Sequence, residues 1–237
     1  MASKDIEIKL SSGEMMPAYF AKAQGTAPAP SVVILQEIFG VNANIRAIAD
    51  NYAERNFNAI APDLYWREKA GVQLSAKNPD EVKQAMELMK GMDQDLAAED
   101  AVAAGNYARQ LEGANGKLGA VGYCIGGKIA YLVATKPGID AAVSYYGIAI
   151  YGALDKASEI KCPLLLHIPE DDHLCPPEAQ AEIKQALGKR SGVKIMTYPG
   201  VDHAFARRGG DAYNADATNR ADAATLTLFA DALSVPQ

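Results

Sequence analysis

The sequence predicts an α/β fold, a mostly parallel central sheet with helices on both faces. Short apolar runs of strand length alternate with longer segments of helical periodicity. Several runs, Ser31–Gln36 among them, are apolar and β-branched for their short length instead of alternating, as strands covered on both faces must be. Hydrophobic residues make up 49% of the 237 and charged residues 22%, enough apolar surface to cover such a sheet. A chain of this length buries roughly 70% or more of its unfolded surface and needs no staple.

Taken in order, Asp5–Leu10 alternates charged and apolar residues, and Ser12-Gly13 turns it into Met16–Phe20 as an edge hairpin. Ala23–Pro30, rich in Pro, Ala and Gly, is a loop leading to the buried strand Ser31–Gln36. Asn42 or Asn44 can cap a helix, because a side-chain oxygen there accepts from the free N–H groups of the first turn. Its apolar face is Ile45, Ile48, Ala49, Tyr52 and Ala53. Asn58–Ala61 is a short strand stopped by Pro62-Asp63, and Trp66–Asn78 is polar and irregular. Pro79-Asp80 opens a Met-rich helix, and Leu96–Leu111 is another that ends near Gly113. The rest reads as strand Leu118–Val121, helix Gly126–Ala134, strands Ala141–Tyr146 and Pro163–Ile168, helix Glu178–Leu187, strand Val193–Tyr198 and helix Ala217–Leu233. No repeat or linker interrupts the pattern, so residues 1–237 are expected to form a single domain.

Charge and cysteine content narrow the function. Lys and Arg number 23 against 29 Asp and Glu, a net charge of −6, which disfavours nucleic acid and anionic membranes as partners. Three cysteines cannot make a disulfide framework. The opening MASKDIEIKL has no apolar stretch of a secretory signal, and the longest apolar runs fall far short of the roughly 18 residues of a membrane span. A cytoplasmic monomer is the expectation. Cys162 and Cys175 lack a paired zinc spacing, and Gly126-Gly127-Lys128 lacks the loop that precedes it in a phosphate-binding turn. With no dinucleotide fingerprint either, no metal or cofactor is expected.

The most informative local sequence is Val121-Gly122-Tyr123-Cys124-Ile125-Gly126-Gly127. An apolar strand runs into Gly-x-Cys-x-Gly and a helix follows, the pattern of a nucleophile elbow with Cys in the reactive position. Such a turn holds its central residue in strained geometry, and small neighbours make room for it. It also sets a thiol at a helix N-terminus, beside N–H groups able to bind an oxyanion. A nucleophile needs a base, and a histidine base needs an orienting acid. Of three histidines, His203 follows a strand and precedes a long helix, whereas His167 lies inside an apolar strand and reads as core, and His173 directly follows an acidic run. The acid comes from Glu170-Asp171-Asp172 at a strand exit, giving the nucleophile–acid–histidine order of α/β-hydrolases.

Five segments together resemble the dienelactone hydrolase (carboxymethylenebutenolidase) family. They are Gln36-Glu37-Ile38-Phe39-Gly40-Val41-Asn42, Ala61-Pro62-Asp63-Leu64-Tyr65, the Cys124 segment, Tyr145-Tyr146-Gly147, and His203-Ala204-Phe205-Ala206-Arg207. The resemblance extends from about residue 5 to the last helix and implies the α/β-hydrolase fold. It implies hydrolysis of a small carboxylated enol-lactone through an acyl-enzyme, with a broader carboxylesterase or thioesterase as the alternative. Cys124 would be the nucleophile, His203 the base and Asp172 its orienter, since Asp172 to Pro176 matches the family segment after its acid. The N–H groups of Ile38 and Ile125 would form the oxyanion hole. Glu37 would pair with Arg207 at rest and swing toward Cys124 when substrate arrives, leaving Arg207 for the substrate carboxylate. The chain departs from the family on the Asp80–Met92 helix, where an Arg and two aromatics are replaced by Val82, Met86 and Met89 with Lys83 adjacent. Lys supplies charge without the planar fork of Arg. Lys83, Met86 and Tyr145 are the expected further substrate contacts.

Overall fold

The hairpin at the sheet edge sets the frame. In a computed structural model that describes residues 3–234, β1 (Ser3–Lys9) pairs antiparallel with β2 (Met15–Ala21) across a turn where Gly13 takes φ 93°. Strand β1 is mostly solvent-facing, with Ile8 alone buried, which is why its sequence alternates. Strand β2 passes antiparallel to β4 (Asn58–Pro62), which lies parallel to β3 (Ala29–Leu35).

Beyond β3 the sheet grows outward in chain order through β5 (Ala114–Tyr123), β6 (Ala141–Tyr145), β7 (Leu164–Pro169) and β8 (Val193–Tyr198), all parallel. The full order is β1-β2-β4-β3-β5-β6-β7-β8. Parallel neighbours need crossovers, and the helices supply them. Helices α1 (Ala43–Glu54) and α7 (Ala215–Leu233) cover one face. Helices α4 (Gln94–Arg109), α5 (Ile125–Val133) and α6 (Pro177–Leu187) cover the other. The central strands therefore bury both faces: Val32 and Ile34 join the α1/α7 core while Val33 and Leu35 join the α4/α5/α6 core.

Two further helices, α2 (Trp66–Lys69) and α3 (Pro79–Gly91), lie in the long excursion between β4 and α4. Asn42 is the cap of α1, its side chain accepting from the N–H groups of Asn44 at 3.1 Å and Ile45 at 3.3 Å; Asn44 lies within the first turn. Three features depart from the sequence expectation. The polar 66–78 stretch contains α2, and a 3₁₀ segment runs over Ile150–Glu159, where Gly152, Asp155 and Ser158 interrupt any apolar repeat. Strand β5 begins at Ala114, well before its apolar part, because Ala29 pairs with Ala114. Among the described residues no helix is long and apolar enough to cross a membrane.

Candidate active site

Strand β5 ends at Tyr123 and α5 begins at Ile125, so the whole turn rests on Cys124. Cys124 has φ 59° and ψ −119°, a sparsely populated region costing on the order of 1–3 kcal/mol. The glycines around it allow the close approach. A Cβ on Gly122 would collide with the Gly126 carbonyl, one on Gly126 with the carbonyls of Leu35 and Gln36, and one on Gly127 would lie 2.7 Å from the Gly147 Cα. Backbone bonds pin the turn: Cys124 N–H donates to Tyr145 O at 3.1 Å and Gly126 N–H to Gln36 O at 3.1 Å. Cys124 is buried and forms part of the wall of an open cleft of ≈ 810 Å³.

His203 and Asp172 arrive from the loops after β8 and β7. The His203 Nδ1 lies 3.1 Å and 3.0 Å from the two Asp172 oxygens, and both residues are buried. Asp172 is itself held by the Leu174 N–H at 2.8 Å. A carboxylate on Nδ1 fixes a proton there, so Nε2 is the nitrogen that gains or loses the second proton. That Nε2 is buried and has no hydrogen-bond partner among the described residues, although the nearby Cys124 sulfur favours a proton on the ring. Burial works against the charged imidazole, but the Asp172 and Cys124 contacts outweigh it and push the His203 pKa up to about 10.

Glu37 follows β3 and is 1% exposed. Arg207 meets it with a two-pronged bond, Nε to Oε2 at 2.8 Å and Nη2 to Oε1 at 2.9 Å. Such planar pairing is the strongest ion-pair geometry a carboxylate finds. The Arg207 guanidinium also stacks 5.2 Å from the Phe39 ring. Burial lowers its hold on the proton and Glu37 raises it, with a net rise. Tyr146, at φ 39°, brings its hydroxyl to 3.5 Å from Glu37 Oε1 and its ring edge-on to His203 at 5.0 Å.

Cys124, His203, Asp172, Glu37 and Arg207 are thus brought together at the C-terminal edge of the sheet. Ile125 directly follows Cys124 and Ile38 lines the same cleft, and among the described residues neither N–H has a backbone acceptor. Met86 and Val82 reach the cleft from α3, where Met86 is exposed and the helix buries Ala85 and Leu88 instead. Lys83 is placed elsewhere: it is exposed and absent from the cleft wall, because a step of one residue turns it away from Val82. Tyr145 is also placed elsewhere. It is fully buried beneath the site, its hydroxyl 2.8 Å from both Asp222 Oδ1 and Thr225 Oγ1. Its neighbour Tyr146 is the tyrosine that touches Glu37 and His203. His167 is a core residue, satisfied by the Tyr198 hydroxyl at 2.8 Å and Thr225 at 3.0 Å. His173 is exposed at the cleft rim, bonded to Asp202 at 2.8 Å. Asp172, His173 and Asp202 bring ligand-type atoms within 4.8 Å of one another, but these groups already bond His203 and each other.

The model of the dienelactone hydrolase family matches residues 16–233. The chain is 36% identical to the carboxymethylenebutenolidase of Pseudomonas putida and 35% identical to carboxymethylenebutenolidase 1 of Cupriavidus pinatubonensis, over 97% of each chain in both pairs. Among solved structures it is similar to a dienelactone hydrolase-like promiscuous phosphotriesterase from metagenomic libraries, with TM-score 0.76 at 20% identity, covering 99% of this chain and all of that one. At that identity the likeness speaks for the fold alone. The chain belongs to the dienelactone hydrolase family and is a hydrolase acting on ester bonds.

Proposed function

We propose that the protein opens small carboxylated enol-lactones, of the kind that yield maleylacetate-type acids, with Cys124 as nucleophile. The observation that carries this reading is the Glu37–Arg207 pair buried beside the Cys124–His203–Asp172 cluster. A substrate carboxylate entering the cleft competes with Glu37 for the Arg207 fork. Glu37, released, helps remove the thiol proton, and the thiolate sulfur adds to the lactone carbonyl. The N–H groups of Ile38 and Ile125 hold the resulting oxyanion. Collapse breaks the ring C–O bond, leaving a thioester on Cys124 and an enolate on the departing arm. The enolate takes the proton that Glu37 removed from the thiol. Water then attacks the thioester as His203 takes its proton and Asp172 steadies the imidazolium; the C–S bond breaks, the acid leaves, and the imidazolium returns the proton to the Cys124 sulfur.

A second reading, a carboxylesterase or thioesterase of broad specificity, draws on one observation. The α3 wall of the cleft is formed by Val82 and Met86, which adapt to many shapes and fix no charge. Brief exposure of the protein to a dienelactone, a neutral enol-lactone and a p-nitrophenyl ester, followed by mass spectrometry and rate measurement, separates the two. An acyl adduct that vanishes in Cys124→Ala, with the carboxylated lactone the best substrate, is the expected result. Adduct formation in Cys124→Ala would sink the cysteine mechanism, and equal rates for all three would favour the broad enzyme.

A further inference from the structure

On the α1/α7 face of the sheet a second cavity of ≈ 510 Å³ opens between those two helices. Helix α1 turns the small Ala43 and Ala47 toward it, one turn apart, and so leaves the space unfilled. Ile48 and Leu226 form apolar walls. Tyr52 of α1, Phe229 of α7 and Phe57 from the loop after α1 pack their rings together, with centroids 5.6 to 6.2 Å apart.

The lining is too polar to be a packing defect. Voids left by imperfect packing are apolar and dry. Here Tyr52, Tyr123 and Asp222 all face the space. The Asp222 carboxylate has one hydrogen bond among the described residues, from the Tyr145 hydroxyl at 2.8 Å to Oδ1. Its second oxygen is left with accepting capacity. A concave apolar wall with a few converging polar groups is the usual profile of a small-molecule site.

Charge and shape select the ligand. Arg55 and Arg208 stand near enough to Asp222 to act on it, so an added cation gains little. An added anion would meet the Asp222 carboxylate, while the guanidinium groups that could receive it are engaged elsewhere, Arg55 with Asn51 and Arg208 with the Tyr213 hydroxyl. A neutral molecule meets neither penalty. Rings of Tyr52 and Tyr123 favour an aromatic body. We infer that this cavity is a second binding site, for a small uncharged phenol whose ring lies between Ile48 and Leu226 and whose hydroxyl donates to Asp222. The inference does not depend on which ester Cys124 takes. Tyr123 directly precedes Cys124, and its ring lies 4.9 Å from that of Tyr145, so the site sits directly behind the elbow.

Phenol, benzoate and benzylamine titrated into the whole protein, followed by NMR shifts, test this. Phenol should bind the wild type and bind neither Leu226→Trp nor Ala47→Phe, which fill the cavity from opposite walls. Melting temperatures report that each variant is folded, and Ala47 is exposed, so its replacement disturbs little of the core. Asp222→Asn should weaken phenol about 10-fold, as expected for one hydrogen bond to a charged acceptor. Benzoate and benzylamine should bind about 10-fold or more weakly than phenol. Phenol binding that survives both filled variants would overturn the site by placing the ligand in the active cleft. Benzoate or benzylamine binding as tightly as phenol would overturn the ligand class.

Discussion

Glu37 is fully enclosed, and Arg207 is what makes that enclosure tolerable. Removing one member of a buried pair strands the other, at a cost of about 3–5 kcal/mol. Arg207→Met should therefore lower stability by about that amount in urea titration, well beyond the effect of an ordinary surface change. Glu37→Gln keeps the shape but also strands the Arg207 charge, so the melting temperature should fall as well; acylation measured in stopped-flow on the folded variant should slow by roughly 100-fold. Unchanged turnover would remove Glu37 from the reaction. For His203 the sign is set by a raised pKa, from an ordinary value of about 6.5 to about 10. The folded state then holds a proton the unfolded chain has lost, so His203 adds stability fully present below about pH 6.5 and lost as pH rises through about 10. Cys124→Ala takes away one source of that rise, and an NMR titration should show the His203 pKa move down. A pKa unmoved would mean the sulfur does not face the ring. At this scale the sequence was legible for residues announced by a motif and silent where parity decided. Tyr145 and Tyr146 are indistinguishable as letters. Strand β6 ends between them, and the positive φ of Tyr146 reverses which one turns to the site.

The elbow is the element in which local sequence and tertiary packing coincide. Gly126 packs against two carbonyls of the β3 exit, so Gly126→Ala must push α5 away from β3. It should cost at least about 3 kcal/mol and abolish activity together with stability, read by activity assay and thermal melting. Helix α3 is the opposite case. Its methionines read equally well as core or as pocket wall, since periodicity gives a face without saying what the face meets. The fold resolves the ambiguity by burying Ala85 and Leu88 and leaving Val82 and Met86 to the cleft. Val82→Arg would place a planar cation on that wall, and kcat/KM should rise more for carboxylated lactones than for neutral esters. An equal response of both substrates would take α3 out of carboxylate recognition. The 3₁₀ segment Ile150–Glu159 escaped notice because nothing in its composition repeats.

For the whole molecule, alternation of strand and helix disclosed the sheet, and the order of motifs disclosed which edge gathers the candidate site. The α1/α7 cavity was not legible, because it depends on the distance between two helices that sequence does not encode locally. One buried group ties global stability to acid. His167 is fully buried and its pKa falls to about 3, chiefly by burial and secondarily through Lys194. The unfolded chain takes up a proton below about pH 6.5 that the folded protein refuses until about pH 3, so stability declines as pH falls across that window. The slope from this one group is about 1.4 kcal/mol per pH unit, and urea titrations of His167→Gln should show a shallower decline than wild type. An identical decline would place the acid sensitivity in other groups.

The outward growth of the sheet from β5 to β8 also has a timetable in it. A ribosome delivers Cys124 first, Asp172 only after β7, and His203 and Arg207 only after β8. Glu37 waits across 170 residues for its guanidinium partner. A nascent chain stalled anywhere before that last strand carries the thiol without His203 and Arg207. The five side chains of the cluster meet only when the final third of the chain has been made.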